Sequence, residues 1–491
     1  MIDKAPGAAP FDQLLENPGE DPFGGSASDT DVTFADSYRP PTDSTDRYGE
    51  SYLRRLDLEL KEGAFGQADI EDFSDFNNVG RAVEDGKYSF TAESKFLKQA
   101  ASILNEIGGA EAVRVTVFPD RLKLAAANTA AFVETLIPTV VNPAVKLPAD
   151  ETVAFILEKR KLIAMAQSLR RDAMITFEYL AQRRNLIIRG DDGVLNYPTL
   201  EVRHPPDYHN NCGIPKLLGE LDPAALREAI RFLTMYVIRD DLQQNLSVID
   251  FHPAAPALPR DAHHTETGRG VTGSASAIGV YDCTRLPRVP LRIRYNVVNV
   301  AAQLLARFHP ERTRLFRAGN FFLLRDQNLY LGFDATDYSF PAVEQILAAR
   351  ADSHILIPRE ELDRHLLQLS IVNSDASTPV RWLLAGVGNS ASLILEVSDI
   401  AGRVSHCALT VARRANDEFV ARGGRPADLP DLDFTVNLAA LKSTIAYSKT
   451  AHVLLEFIGN ALRIIAATAD AQAIAMLTVL NKGAASRQRG S

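Results

Sequence analysis

The chain of 491 residues is poor in the features that usually announce chemistry or a membrane. Its three cysteines, Cys212, Cys283 and Cys407, lie far apart, so they form neither a disulfide framework nor a thiolate metal site of regular spacing. That scarcity suits a reducing compartment, and the expected location is cytoplasmic. No run of 18 apolar residues is present, which excludes a membrane-spanning helix by length. The start, "MIDKAPGAAPFDQLLENPGEDPF", lacks the basic residues and apolar core of a secretory signal. No Ser/His/Asp or paired-carboxylate arrangement recurs with a spacing that specifies chemistry. The sequence therefore predicts no enzyme, no cofactor and no metal.

What is present is ordinary in bulk and uneven along the chain. A hydrophobic content of 46% and a charged content of 23% fit a soluble globular protein, and the length allows two to four domains. Up to Gly86 there are 20 acidic and 7 basic residues; the remainder holds 42 acidic and 46 basic. An acidic leader of −13 thus precedes a body of +4. Residues 1–86, rich in Asp, Ser, Gly and Pro, carry too little apolar surface to offset ordering entropy and are expected to be mostly disordered. Within them, "ESYLRRLDLELKEG" has Tyr52, Leu53, Leu56 and Leu60 at helical spacing and predicts a short helix.

From Lys87 onward the pattern repeats. Six amphipathic stretches predict helices: "ESKFLKQAASILNEI", "EKRKLIAMAQSLRRD", "DPAALREAIRFLTMYV", "YNVVNVAAQLLARF", "REELDRHLLQLSIV" and "NLAALKSTIAYS". Their first core positions, Phe96, Leu162, Leu226, Val298, Leu362 and Leu441, fall 64 to 79 residues apart. Each follows a short strand, such as "KYSFTA" or "DFTVN", and precedes strands of period-two alternation, such as "VRVTVF" and "RLKLAAA". "PAAPALPRDAHHTETGRG" and "ARRANDEFVARGGRPADLPDLD" are loop-like insertions that lengthen the third and fifth units. One such unit cannot bury its own apolar face. Two can close a domain with sheets outside and helices inside, which predicts an α+β protein of three domains at 87–213, 214–350 and 351–482, followed by a tail at 483–491.

Several segments, in this order, resemble the bacterial DNA polymerase III beta sliding clamps. "NLIIRGDDGVLNYPTLE" is similar to the strand pair and linker that close the first clamp domain. "DATDYSFPAVEQIL" resembles the segment between the second and third domains, and "PVRWLLAG" with "ASLILEVSD" resembles the third-domain hairpin. "AIAMLTVL" resembles the apolar last strand. The resemblance runs from Lys87 to the end of that strand. It implies a DNA clamp fold and a processivity factor: a head-to-tail homodimer forming a ring around double-stranded DNA, served by a DNA polymerase and an ATP-using clamp loader. A rival reading is a clamp-like scaffold that binds partner peptides without encircling DNA.

A ring that slides needs diffuse attraction to phosphates and no base readout. The candidate DNA-facing cations are Lys95 and Lys98; Lys159, Arg160, Lys161, Arg170 and Arg171; Arg227 and Arg231; Arg307 and Arg312; Arg359 and Arg364; and Lys442 and Lys449. By resemblance, a partner-peptide pocket uses Leu246, Pro341, Gln345, Ile346, Ile474, Met476, Leu477, Val479 and Leu480. The subunit interface would set Leu195 and Tyr197 against Ile371 and Val372. The chain departs from the pattern at "TGSASAIG", Thr272 to Gly279, where the usual pocket His and Arg are missing. Gln345 stands where Arg is common, and "NKGAASRQRGS" extends the C-terminus. Such departures fit a divergent clamp carried by a phage or plasmid, or a paralogue. The acidic leader, with "FDQLLENPGEDPF" like a clamp-binding peptide, is expected to compete with DNA for the basic surface, to occupy the partner groove, or simply to solubilise the chain.

Three motifs point elsewhere and fail on context. "GVGNSA", Gly386 to Ala391, fits a dinucleotide-binding turn but precedes a predicted strand where a helix is required. "GRAVEDGKY" has the wrong glycine spacing for a P-loop and Tyr88 where Ser or Thr should stand. His204, Asp207, His209 and Cys212 are close in sequence, but Pro205 and Pro206 preclude a helix, and the segment reads as a linker. His263 and His264 sit in a polar insertion and read as solvated.

Overall fold

A computed structural model describes residues 81–82, 86–141, 153–200, 212–254, 267–373 and 378–481, apart from single residues or pairs within those ranges. The expected leader disorder, its short helix and the C-terminal tail lie outside the described residues, with one exception. Arg81–Ala82 form a short strand, β1, inside the segment expected to be mostly disordered.

The repeat is realised six times. The first unit runs β2 (Lys87–Glu93), α1 (Ser94–Asn105), β3 (Ala112–Val117), β4 (Arg121–Ala127), β5 (Ala131–Pro138) and β6 (Val140–Val141). The second has β7 (Val153–Glu158), α2 (Lys159–Ser168), β8 (Met174–Leu180), β9 (Asn185–Gly190) and β10 (Gly193–Pro198). The third has β11 (Lys216–Glu220), α3 (Pro223–Leu233), β12 (Val248–Pro253), β13 (Gly268–Ser274) and β14 (Ala277–Cys283). The fourth has β15 (Leu291–Arg294), α4 (Tyr295–Leu304), β16 (Arg314–Ala318), β17 (Phe321–Arg325), β18 (Leu329–Asp334) and a short α5 (Glu344–Leu347). The fifth has β19 (Ser353–Pro358), α6 (Arg359–Val372), β20 (Pro379–Ala385), β21 (Gly388–Ser398), β22 (Val404–Ala415) and α7 (Asp417–Ala421). The sixth has β23 (Leu432–Asn437), α8 (Leu438–Tyr447), β24 (His452–Ile458), β25 (Ala461–Ala467), β26 (Ala471–Thr478) and β27 (Leu480–Asn481).

The second insertion is less loop-like than its composition predicts. Residues 412–415 extend β22, α7 follows, and the buried Arg413 ties the far end down by donating to the Pro430 carbonyl at 2.8 Å and the Gly386 carbonyl at 3.3 Å. A guanidinium with fixed carbonyl partners holds a polar excursion that apolar packing alone would not. In the first insertion Gly268–Gly270 belong to β13, while residues 255–266, with His263 and His264, lie outside the described residues.

Contacts divide the chain into two compact units. One holds Tyr52–Arg227 and Leu291–Asp337. It contains a nine-stranded sheet in the order β1-β7-β3-β4-β5-β18-β17-β16-β11 and a five-stranded sheet in the order β10-β9-β8-β2-β6. The long sheet is continuous because β5 and β18, from different repeats, pair antiparallel. Here α1 packs on α2 and on β5. Leu97, Ile103 and Leu104 are buried on that face, each worth about 1.5–3 kcal/mol on removal from water. The expected first core position, Phe96, is only half-buried, and Leu97 beside it takes the core place.

The other unit holds Glu228–Pro290 and Tyr338–Ser491. Its sheet runs β12-β13-β14-β26-β25-β24-β19-β22-β21-β20-β23-β27, made continuous by seven antiparallel residue pairs between β14 and β26. Helices α6 and α8 pack on each other. The single tryptophan, Trp382, is wholly buried and stacks on Phe434 with ring centroids 5.7 Å apart.

Candidate nucleic-acid and partner surfaces

Five of the six repeat helices begin at the residue after their strand, and α3 begins two residues further on, so a short strand–helix corner positions the cations carried on the helices. Asn437 caps α8 by accepting from the Ala440 amide at 2.9 Å, and Asp222 accepts from the Ala224 and Ala225 amides at 2.8 and 3.0 Å at the start of α3.

The cations reached this way are not equivalent. Lys95, Arg160, Lys161, Arg231, Arg307 and Arg364 are exposed. Lys95 pairs with Glu93, and Lys161 Nζ lies 2.7 Å from Glu158 Oε2, so a carboxylate at each strand end moderates the charge of α1 and α2. Lys98 and Arg359 are half-buried, and Arg359 Nη2 is 3.7 Å from Glu360 Oε1. Arg227 donates from Nε to the Ala302 carbonyl at 3.1 Å, and Lys442 donates to Ser370 Oγ at 3.1 Å, so both also bind neighbouring helices together. Arg170 and Arg171 are exposed but follow α2, which ends at Ser168, where the helical pattern had included them. Their carbonyls accept from the buried hydroxyl of Ser94. Arg312 is exposed in a turn beyond α4, and Lys449 lies outside the described residues.

Lys159 departs from its expected role. It is 6% exposed, and its ammonium donates to the Ile107 carbonyl at the end of α1. Burial lowers its pKa, opposed by the charge of Glu106. The residue joins α1 to α2 and offers nothing to a phosphate. Its neighbours Arg160 and Lys161 gave the same sequence signal, because a basic triplet does not say which member faces inward.

Most residues expected at the partner pocket belong to a packed cluster. Leu246, Ile346, Ile474 and Met476 are buried together with Phe340, Val343 and Val280. Leu477 and Val479 are buried as well, and Leu480 begins β27. Pro341 is half-buried, and Gln345 is exposed at the margin. The segment carrying α5 is clamped onto the sheet: the Phe340 amide donates to Asp250 Oδ2 at 3.2 Å, and Arg463 Nη1 donates to the Leu347 carbonyl at 2.6 Å. Gly273 lies under the Phe340 ring, where a Cβ would come within 2.9 Å of it.

The expected interface residues lie at two strand edges. Among the described residues β10 pairs only with β9, and its Leu195 is 47% exposed. Tyr197 is half-buried, and burial with the nearby Glu158 charge pushes its hydroxyl up to about 12. In β22 only Ala412–Ala415 pair with β19, so Val404–Val411 have a partner on one side. Beside them on α6, Ile371 is 80% exposed and Val372 half-buried.

Gly386 and Gly388 adopt φ of +79° and +90° at the hairpin turn where β21 begins. His204, Asp207 and His209 lie outside the described residues, while Cys212 packs against Phe132, Leu136 and Phe316. Among the described residues, no three His, Cys, Asp or Glu side chains gather as a metal site, and no helix is long and apolar enough to cross a membrane.

No protein-family profile matches the chain, and no curated protein sequence matches it. Solved structures do. The beta sliding clamp of Caulobacter crescentus superposes with a TM-score of 0.66 at 12% identity, covering 81% of this chain and 99% of that one. A DNA polymerase sliding clamp from Pseudomonas aeruginosa gives 0.65 at 14% identity, covering 80% and 99%. The sliding clamp from Bartonella birtlesii, solved bound to griselimycin, gives 0.64 at 12%, covering 81% and 100%. The chain therefore has the α+β fold of the bacterial sliding clamps. At this identity the likeness establishes the fold, and the sequence is divergent within it.

Proposed function

We propose that this protein is a DNA sliding clamp: two copies join head to tail into a ring around double-stranded DNA and tether a DNA polymerase and other partners, without catalysis. The observation that carries the reading is the sixfold strand–helix repeat in a sliding-clamp fold, with exposed cations on or just after α1, α2, α3, α4 and α6. Scattered cations attract phosphates without reading bases, so binding is weak and salt-sensitive, and topology retains the ring. Three domains, at 87–213, 214–350 and 351–482, each contribute two helices. Ring closure pairs the edge of β10, with Leu195 and Tyr197, against Val404–Val411 and Ile371–Val372 of a second copy. Partner peptides dock at the margin near Pro341 and Gln345, since the deeper positions are filled by the chain itself. A cytoplasmic location and a clamp loader follow from this role.

A second reading, a partner-binding scaffold that does not encircle DNA, is favoured by the carboxylates beside Lys95 and Lys161 and by the burial of Lys159. Retention on nicked circular against linear DNA separates the two. A ring stays on the circle and runs off the linear ends, whereas equal retention on both removes the topological link. Solution mass over a range of concentrations then shows whether two chains associate.

A further inference from the structure

One end of the nine-stranded sheet opens into a cleft of about 600 Å³. Its lining combines apolar surface, including Phe96 of α1, Ile137 of β5 and Tyr330 of β18, with three guanidinium groups, Arg121, Arg307 and Arg325. Arg325 sits 5.5 Å from the centroid of the Tyr330 ring, and Arg307 Nη2 donates to Ser102 Oγ at 3.1 Å. Of the two carboxylates in the lining, Asp326 is engaged by backbone, accepting from the His309 amide at 2.9 Å and the Gln327 amide at 2.5 Å. Asp120 lies 3.8 Å from Arg121 Nε. A second hollow of about 400 Å³ shares Arg325 and adds Arg312 and Arg314 against Glu220 and Glu311. Guanidinium groups beside aromatic and aliphatic walls fit a peptide that alternates carboxylates with aromatic side chains.

The topology brings such a peptide to this place. Arg81 of β1 pairs with Val153, Val153 with Val117, Val117 with Leu122, and Leu122 with Ile137. Arg81 therefore stands in the same cross-strand row as a residue of the cleft, four strand spacings or roughly 19 Å away. β1 is parallel to β7, which places its first residue at the sheet end where β4 and β18 begin and β5 stops. Those strand ends line the cleft, so β1 begins at the cleft end of the sheet. Counting back, "DIEDFSDF", Asp69–Phe76, packs four carboxylates, two phenylalanines and an isoleucine into eight residues. An extended chain from Arg81 reaches about 17 Å at Phe76 and about 27 Å at Phe73, which spans the distance to the cleft.

We propose that Asp69–Phe76 docks in this cleft in cis, its carboxylates on Arg121 and Arg325 and its phenylalanines on the apolar wall. The acidic leader would then be a ligand of its own fold. Arg307 is one of the cations assigned above to DNA, so docking would lower the charge offered to phosphates. That consequence rests on the sliding-clamp reading; the docking itself does not.

The test uses the full chain with a benzophenone amino acid at Gln327 in the cleft, and at the exposed Gln182 as a control. Irradiation of the Gln327 protein is expected to cross-link it to the peptide containing residues 64–80 of the same molecule, at least fivefold more than the Gln182 protein. Mixing isotopically light and heavy chains identifies the link as intramolecular. Replacing Asp69, Glu71, Asp72 and Asp75 by their amides, outside the described fold, should remove most of the cross-link, as should 0.5 M salt. The proposal is overturned if the Gln327 cross-links go to another part of the chain, to a second copy or to nucleic acid, if none form, or if the amide variant links equally well. None of these outcomes depends on whether the protein encircles DNA.

Discussion

Arg463 and Glu456 face each other across β24 and β25, with Nε and Nη2 lying 2.7 and 2.6 Å from Glu456 Oε2 and both side chains buried. The same guanidinium holds the Leu347 carbonyl, so one buried ion pair fixes the sheet and the segment above it. Arg463→Met leaves Glu456 buried without its partner, and the expected loss is about 3–5 kcal/mol in denaturant unfolding. Arg463→Met with Glu456→Leu should lose less than the single change. Emission from the buried Trp382, in the same compact unit, reports the transition.

At the joint of the nine-stranded sheet, β18 crosses β5 at Gly332, opposite Phe132. A Cβ on Gly332 would come within 2.1 Å of the Phe132 ring, which is wholly buried. Gly332→Ala should therefore destabilise this compact unit by about 1–3 kcal/mol. The measurable outcome is earlier amide exchange in β5 and β18, with little change in β24 and β25.

Lys159 and Arg160 are adjacent and should behave as opposites. Arg160→Glu, Arg231→Glu and Arg364→Glu together should reduce DNA retention at least tenfold at low salt and leave the melting temperature nearly unchanged. Lys159→Gln should leave the salt dependence of DNA binding intact and lower stability, because it removes a buried contact between α1 and α2. Equal effects on DNA binding would count against the distinction drawn from burial.

Self-association is predicted to depend on two exposed apolar residues. Leu195→Asp and Ile371→Asp should each weaken dimer formation at least tenfold in sedimentation equilibrium. Neither side chain is needed for the fold, so their circular dichroism should match the parent. No change in association would rule out the proposed closure.

Thiol reactivity should rank with environment. Burial and the nearby Glu134 charge push the Cys212 thiol up to about 12; burial also raises Cys283 and Cys407. Cys407 alone is half-buried, so a disulfide reagent at pH 8 should titrate one thiol in the native protein and three after unfolding. Because the thiolate is the reactive form and the Cys407 pKa is raised, its rate should still be climbing above pH 9.

The six helices were legible because each carries its own 3.6-residue pattern and begins at a strand end. What could not be read locally are the features made by strands distant in sequence. The arginine cleft gathers residues from near positions 96, 121, 137, 307 and 325, and only the β5–β18 pairing joins them. The partner positions were placed by register, and in the structure Leu246, Ile346, Ile474 and Met476 share one buried cluster with Phe340 and Val343. Lys123 and Glu134, a buried pair at 3.5 Å, look on paper like surface charges in two alternating strands. The fold resemblance stood on the order of weak landmarks, and that order is the order of the elements in the structure.

The β14–β26 pairing also bears on how the newborn polypeptide reaches its final form. β14 leaves the ribosome with Ala277–Cys283 lacking their neighbour, which is made roughly 190 residues later, some 10–40 s at ordinary rates of translation. During that interval a bare strand edge of apolar residues is available to other nascent chains. Synthesis of this protein should therefore depend on something shielding that edge, and chains truncated before Ala471 should aggregate in preference to persisting as soluble fragments.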